Sequence, residues 1–232
     1  YEGFFSDFCA FESYAWMHHV YGMRRIVSGR AYDSVIPNFF DVDDFHDPAR
    51  WCGAPRGDYL LYVGRLVYRK GPTVAAMIAE RASMPLVVAG PGAIEVSPGR
   101  IVSPEVILEG DVEYAGVVGF KERANLMARA AAVVVPTLYI EPFGGVAVES
   151  MLSGTPVIAS DWGSFTEIVT PEVGARFRTL AQGADAVLHV RGLDPARIRE
   201  HAVECYGLDA VGSRFTAWFD QLDALWEDGW YT

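Results

Sequence analysis

The sequence predicts a doubly wound parallel α/β sheet, and three observations predict it. Four short apolar runs, YLLYVG, PLVVAG, AAVVVP and TPVIAS, carry no polar alternation, as strands buried on both faces require. Helical spacing fills the stretches between them, so strand and helix alternate over about 110 residues. Two segments that combine charged residues with glycine, GRLVYRKG and EPFGGVAVE, come after two of these runs, where open α/β sheets bind ligands.

The elements follow in order. Residues 4–22 place Phe4, Phe8, Phe11, Ala15, Trp16 and Val20 at helical spacing and reach Gly22, which predicts one amphipathic helix. DSVIPNFFD reads as a short strand ending in a Pro-Asn turn. YLLYVG is a buried strand, and GPTVAAMIAERA a helix with Pro72 in its first turn. PLVVAG is a strand, VILEG and VEYAG are short strands, and GFKERANLMARA is a helix. AAVVVP, GGVAVESMLSG and TPVIAS give strand, helix and strand. Beyond Ile168 the pattern softens, with two further helices expected at roughly 195–205 and 208–227. The last carries Leu208, Val211, Phe215, Trp218, Phe219, Leu222, Leu225 and Trp226, a wide apolar stripe that must pack on something. No internal repeat or low-complexity linker interrupts the chain.

Composition bounds the function. Of 232 residues, 51% are hydrophobic and 21% charged, which is globular. A formal net charge of −11 argues against nucleic acid and anionic membranes as partners, since both need a cationic surface. The longest apolar run, Ala130 to Pro136, is far short of the roughly 20 residues of a transmembrane segment. Cys9, Cys52 and Cys205 are odd in number and far apart, so a reducing, cytoplasmic setting is expected rather than a disulfide framework. No basic-then-apolar leader opens the chain, and its start at Tyr1 sets the expectation that residues precede it. There is no CxxC or HExxH, and His18 and His19, adjacent on a helix, point to different faces; no metal site is expected.

The first chemical motif is GRLVYRKG, residues 64–71. Residues 59–79 hold no Asp or Glu, yet Arg65, Arg69 and Lys70 fall within them. Arginine offers a fork to phosphate oxygens and lysine a point charge. The competing reading is a solvated strand-helix loop with incidental cations. It is not a P-loop, because GxxxxGK[ST] is absent, and no GxGxxG occurs. The second motif, Glu141-Pro-Phe143-Gly144-Gly145-Val146-Ala-Val-Glu149, follows AAVVVP. Its glycines open a helix whose free N–H groups can meet an anion or a sugar oxygen. Carboxylates accept well from vicinal sugar hydroxyls, although Glu141 could simply favour the helix dipole and Glu149 lie on the surface.

GRLVYRKG, LVVAGPG, the two glutamates with seven residues between them, and SGTPVIASDWGSFTEIV together resemble the C-terminal, donor-binding domain of family 4 retaining glycosyltransferases of the GT-B fold. VIPNFFDVDDF is similar to the segment that opens this domain, usually VIPNGVD, with Phe39 in place of the glycine. The likeness runs from about Val35 to Ile168 in order and spacing.

The resemblance implies a Rossmann-like domain and a nucleoside-diphosphate sugar as donor substrate, with no cofactor. Arg65 and Lys70, beside Gly64, would hold the diphosphate. Glu141 would be the catalytic residue at the transferred sugar, with the backbone of Phe143, Gly144, Gly145 and Val146 beside it. Glu149 would take the ribose. Val117 and Val118 would lie against the base, and Gly90 and Pro91 would border the cleft. Glu167 would be structural. The family commonly has a large apolar residue where Gly145 stands, which bears on sugar selectivity. The implied reaction transfers a sugar with retained configuration and without metal. Asp41-Val42-Asp43 looks superficially like a metal triplet but sits where a turn and helix cap belong.

Only 64 residues lead up to the end of the first motif strand, too few for a second doubly wound domain. The expected division is residues 1–34 as the tail of a missing N-terminal acceptor domain, 35–190 as the nucleotide-sugar domain, and 191–232 as C-terminal helices, the last crossing back. The expected partners are therefore a nucleotide sugar, a glycan, lipid or small-molecule acceptor, and the missing domain, without which the chain should be inactive. A nucleotide-sugar epimerase of the same fold is the alternative, against which the glutamate pair counts. A catalytically silent nucleotide-binding module is the third reading.

Overall fold

Residues 6, 8–28, 30, 32–45 and 57–228 are described in a computed structural model of the chain. Phe4, Cys52 and the Trp226 side chain, named above, lie outside the described residues.

The N-terminal segment departs from the expected single helix. Strand β1 (Ala10–Phe11) is extended and pairs in parallel with β2 (Ser34–Val35), while helix α1 spans only Tyr14–Arg24. The cause is Ser13. Its Oγ accepts from the Trp16 N–H and starts the helix there, while Ser34 and Ile36 hold the preceding backbone in a ladder through the Cys9 and Phe11 carbonyls. The helix ends past Gly22, at Arg25 in left-handed conformation. Asp41, whose carboxylate accepts from the Asp43 N–H, caps a short 3-10 turn at Val42–Asp44.

The main body then runs β3 (Leu60–Val63), α2 (Pro72–Arg81), β4 (Leu86–Ala89), β5 (Ile94–Ser97), β6 (Arg100–Val102), β7 (Ile107–Glu109) and β8 (Val112–Gly116). It continues through α3 (Phe120–Arg129), β9 (Ala132–Val135), α4 (Gly145–Leu152), β10 (Val157–Ser160) and α5 (Phe165–Ile168). Last come β11 (Gly174–Phe177), α6 (Leu180–Val190), α7 (Pro195–Tyr206) and α8 (Leu208–Asp228).

Six parallel strands form one sheet in the order β11-β10-β9-β3-β4-β8. The chain moves outward from β3 through β4 to β8, returns to β9 beside β3, and moves outward the other way. The order therefore reverses between β3 and β9, and in a doubly wound sheet the crevice at the carboxyl ends of those two strands is where ligands sit. The alternation of side chains builds both faces. Leu60, Tyr62, Leu86, Val88 and Val134 pack with Ile78 of α2 and Val187 of α6. Leu61, Val87 and Val133 pack with Met127 of α3, and Val157 and Ala159 with α4 and α7 through Met151, Ile198 and Ala202.

Two regions were not foreseen. VILEG and VEYAG are both strands, but VILEG is β7 of a separate antiparallel sheet ordered β5-β6-β7, which fills the crossover between β4 and β8. Its turn uses Ser97-Pro98-Gly99, with Gly99 at φ +75°, and Ile101 and Leu108 anchor it to the core. Beyond Ile168, β11 extends the sheet edge and α6 covers it. Gly183 allows close approach, since a Cβ there would lie 2.6 Å from Ile78 Cδ1. The stripe of α8 buries Val211, leaves Phe219 exposed, and uses Trp218 Nε1 to donate to the Tyr32 carbonyl at 2.8 Å.

Candidate functional site

The loops leaving β3 and β9 are joined. After Gly64 the first loop is held by Tyr62, whose hydroxyl donates to the Arg65 carbonyl at 2.9 Å, and it closes in a 3-10 turn over Tyr68–Lys70. Gly71 follows at φ +73°. A Cβ there would fall 2.1 Å from the Pro136 carbonyl oxygen of the second loop, so glycine is required for the two backbones to meet. Leu138 N–H then donates to the Arg69 carbonyl at 2.8 Å.

That junction brings the two motifs into contact. Lys70 Nζ lies 2.8 Å from Glu141 Oε2, with both side chains largely buried. Tyr139 donates its hydroxyl to the same Oε2 at 2.7 Å, and its ring centroid lies 4.9 Å from Lys70 Nζ and 5.6 Å from Arg69 Cζ. Burial alone would lower the Lys70 pKa. The hydrogen bond to Glu141, the adjacent Tyr139 hydroxyl and the Glu141 charge outweigh it, and the ammonium titrates above its ordinary value. Burial pushes the Tyr139 phenol up, so it stays a protonated donor at neutral pH.

The backbone around Glu141 is fixed by neighbours. The carbonyls of Glu141, Pro142 and Phe143 accept from Ser164 N–H, Ser13 Oγ and Ser164 Oγ at 3.2, 2.6 and 2.7 Å. Glu167 accepts from Tyr14 and Ala15 N–H at 3.0 and 2.8 Å and so caps α1, a structural position. Gly144, at φ +84°, precedes α4, and no side chain caps that helix end. Gly145 opens the helix with Phe40 Cζ 3.4 Å from where a Cβ would stand. Val146 packs against the core beneath α3.

Glu149, one turn into α4, meets Arg123 of α3. The guanidinium NH2 donates to Oε1 at 3.0 Å, and Nε lies 2.9 Å from Oε2. The Nε contact is close enough for an ion pair but not aligned as a hydrogen bond, which leaves buried Oε2 without an aligned donor. Burial pushes the Glu149 carboxyl up, and the Arg123 charge pulls it back only in part.

Farther along the rim, Gly64, Gly90 and Gly116 end β3, β4 and β8. Gly64 and Gly90 N–H donate to the Ala89 and Gly116 carbonyls, and a Cβ on Gly90 would strike the Gly64 oxygen at 2.1 Å. Pro91 follows and accepts from Leu66 N–H at 3.0 Å. Val117, 73% exposed, and half-buried Val118 lie past β8 at the rim's far end. Arg65 is exposed and forms no ion pair with any described residue, so it stands apart from the Lys70–Glu141 pair.

Lys70 and Glu141 thus meet at the loops that follow β3 and β9, Phe143, Gly144 and Gly145 continue the second loop into α4, Glu149 lies one turn into that helix, and Gly64, Gly90 and Pro91 lie along the strand ends. Tyr139 and Arg123 were not read from the sequence. Tyr139 stands two residues before Glu141 in the same loop. A cavity of about 290 Å³ lies elsewhere, beside edge strand β11, lined by Asp161, Pro171, Arg176 and His189. None of the candidate site residues lines it, and the converging polar groups mark the open crevice instead. Among the described residues no helix is long and apolar enough to cross a membrane, and no three His, Cys, Asp or Glu side chains are grouped to hold a metal.

The family model described as glycosyl transferases group 1 matches residues 57–191. An uncharacterized glycosyltransferase of Methanocaldococcus jannaschii is 36% identical over 139 residues, 56% of this chain and 35% of that protein. A glycogen synthase of Mycobacterium tuberculosis is 34% identical over 187 residues, 75% of this chain and 43% of that protein. Among solved structures, AviGT4, a glycosyltransferase involved in avilamycin A biosynthesis, superposes with a TM-score of 0.73 at 27% identity, over 92% of this chain and 63% of that one. The chain therefore spans well under half the length of these curated relatives.

Proposed function

The chain belongs to the glycosyl transferases group 1 family, and from that premise we propose that it is the donor-binding portion of a retaining, metal-independent family 4 glycosyltransferase. The observation that carries the reading is the 2.8 Å contact between Lys70 and Glu141, which joins two motifs at the reversal of strand order. In this reading Lys70 and Arg65 hold the donor diphosphate, Glu141 faces the transferred sugar and Glu149 the ribose. The bond from the anomeric carbon to the β-phosphate oxygen breaks while one to an acceptor hydroxyl oxygen forms, and the proton of that hydroxyl passes to the departing diphosphate. The charge gathering on the departing diphosphate meets Lys70, Arg65 and the uncapped N-terminus of α4. A second domain supplies the acceptor face, and without it this chain turns over no donor, since positioning of two reactants contributes effective molarities of about 10⁵–10⁸ M.

Calorimetry with UDP-glucose, GDP-mannose and ADP-glucose, with and without EDTA, tests the reading. One donor is expected to bind, unaffected by chelator. Binding of none, or binding lost with EDTA, overturns it. An epimerase would convert the bound donor to its epimer without acceptor, which proton NMR of the same samples detects.

A further inference from the structure

Arg123 lies outside every motif, yet it is the cation that the second motif glutamate faces. Helix α3 carries it onto α4, where its guanidinium reaches both Glu149 oxygens, at 2.9 and 3.0 Å. The Phe120 ring centroid lies 5.2 Å from the guanidinium carbon and steadies its plane. Glu149 is 13% exposed at its side chain, and a carboxylate that deeply placed favours its neutral form unless a cation opposes.

No other described group supplies that opposition. Strands β9 and β10, packed under α4, carry no ionisable residue. Helix α7, packed beside it, offers Arg199, whose guanidinium donates to the Leu152 and Val42 carbonyls instead. Among the described groups Arg123 alone exerts a charge on Glu149. The remaining observation is the buried Oε2 that lacks an aligned donor, an acceptor with capacity to spare.

We infer that Arg123 is a positioning residue for the donor site proposed above: it keeps Glu149 ionised and turned so that its two oxygens accept from a vicinal diol. It thereby makes the site selective for ribonucleotides over their 2′-deoxy counterparts. The inference rests on the donor-site reading but adds a residue and a selectivity to it. A neutral Glu149 would offer one acceptor and one donor in place of two acceptors, and a misturned one would meet a single hydroxyl.

The test is calorimetry of UDP, GDP and ADP and their 2′-deoxy forms against the chain, between about pH 5.5 and 8.5, for wild type, Arg123→Gln and Arg123→Lys. If wild type binds none of them, the donor-site reading fails. If it binds one and prefers the ribo form, Arg123→Gln should lose that preference and weaken the ribonucleotide about ten-fold or more at neutral pH. Without Arg123, burial acts unopposed, so the Glu149 carboxyl titrates higher and the rise of affinity with pH moves to higher pH. Arg123→Lys keeps the charge without the fork, so its pH profile should stay near wild type while its ribose preference falls. A wild-type pH profile and preference in Arg123→Gln overturn the inference. Should that variant fail to fold, an undiminished ribose preference in Arg123→Lys does the same.

Discussion

Glu141 and Glu149 have seven residues between them and are held in opposite ways. Glu141 sits on a loop and takes both its partners at one oxygen, Lys70 from the neighbouring loop and Tyr139 from its own. Glu149 sits on a helix with an arginine from the adjoining helix spread across both oxygens. Lys70 is also the group that the donor reading assigns to phosphate, so an arriving diphosphate competes with Glu141 for it. Arg123 has no such rival. In the donor reading the Glu141 end therefore exchanges partners while the Glu149 end stays fixed, which suits a reacting sugar at the first and a held nucleoside at the second.

Removing Lys70 breaks this comparison most strongly. Lys70→Ala should weaken nucleoside-diphosphate binding by roughly 10- to 150-fold, as a charge-assisted contact of about 1.5–3 kcal/mol implies. Glu141→Gln should leave bare UDP, GDP or ADP binding at the wild-type level or slightly tighter, because it removes the carboxylate that competes for the ammonium. Glu149→Gln should weaken bare nucleotide and nucleotide sugar alike. Calorimetry on the three variants decides, and equal losses of bare nucleotide in Glu141→Gln and Glu149→Gln would erase the distinction between the two ends.

Next in size is Gly71→Ala, which attacks the exchangeable end through the backbone. Its left-handed φ and the 2.1 Å approach to the Pro136 oxygen make any side chain strained. A cost of about 1–3 kcal/mol is expected, lowering the melting temperature by about 2–4 °C per kcal/mol for a chain of this size. Gly145→Ala, with only an ordinary contact to Phe40, should melt near wild type. Differential scanning calorimetry gives both numbers. A Gly71→Ala protein as stable as wild type would mean that the loops do not need each other.

The sequence revealed the parts of the sheet whose environment is uniform. Strands β3, β4, β9 and β10 are buried on both faces, and burial on both faces leaves an unbroken apolar run. Strands β5 and β11 were missed because β5 is exposed along its whole length and β11 turns Arg176 outward to Asp161, so their runs are short and mixed. Phe8 and Phe11 fit a helical spacing that Ser13 and strand pairing overrode. In the site, residue types and loop positions were legible, since both motifs follow apolar strands. The Arg123–Glu149 contact was not, because the rotational phase of two packed helices follows from their side-chain packing rather than from either sequence alone.

The smallest expected effect tests the finest part of the comparison, the hydroxyl of Tyr139. Tyr139→Phe keeps the ring near Lys70 and removes one of the two donors at Glu141 Oε2. Bare nucleotide binding depends on Lys70 and should not change. The extra affinity that the sugar adds, measured as the ratio of the dissociation constants of UDP and UDP-glucose or of the cognate pair, depends on how Glu141 is held. It should fall about 2- to 10-fold, the range of a single hydrogen bond worth about 0.5–1.5 kcal/mol net. Burial raises the pKa of the phenol, so it stays protonated and donating across the neutral range, and the deficit should be flat from about pH 6 to 8. Tyr139→Leu removes the ring as well, and with it the cation–π contact to Lys70, so that variant alone should also weaken bare nucleotide. If Tyr139→Phe weakens UDP and UDP-glucose equally, the hydroxyl supports the loop as a whole rather than Glu141. Both ends of the crevice would then be equally fixed.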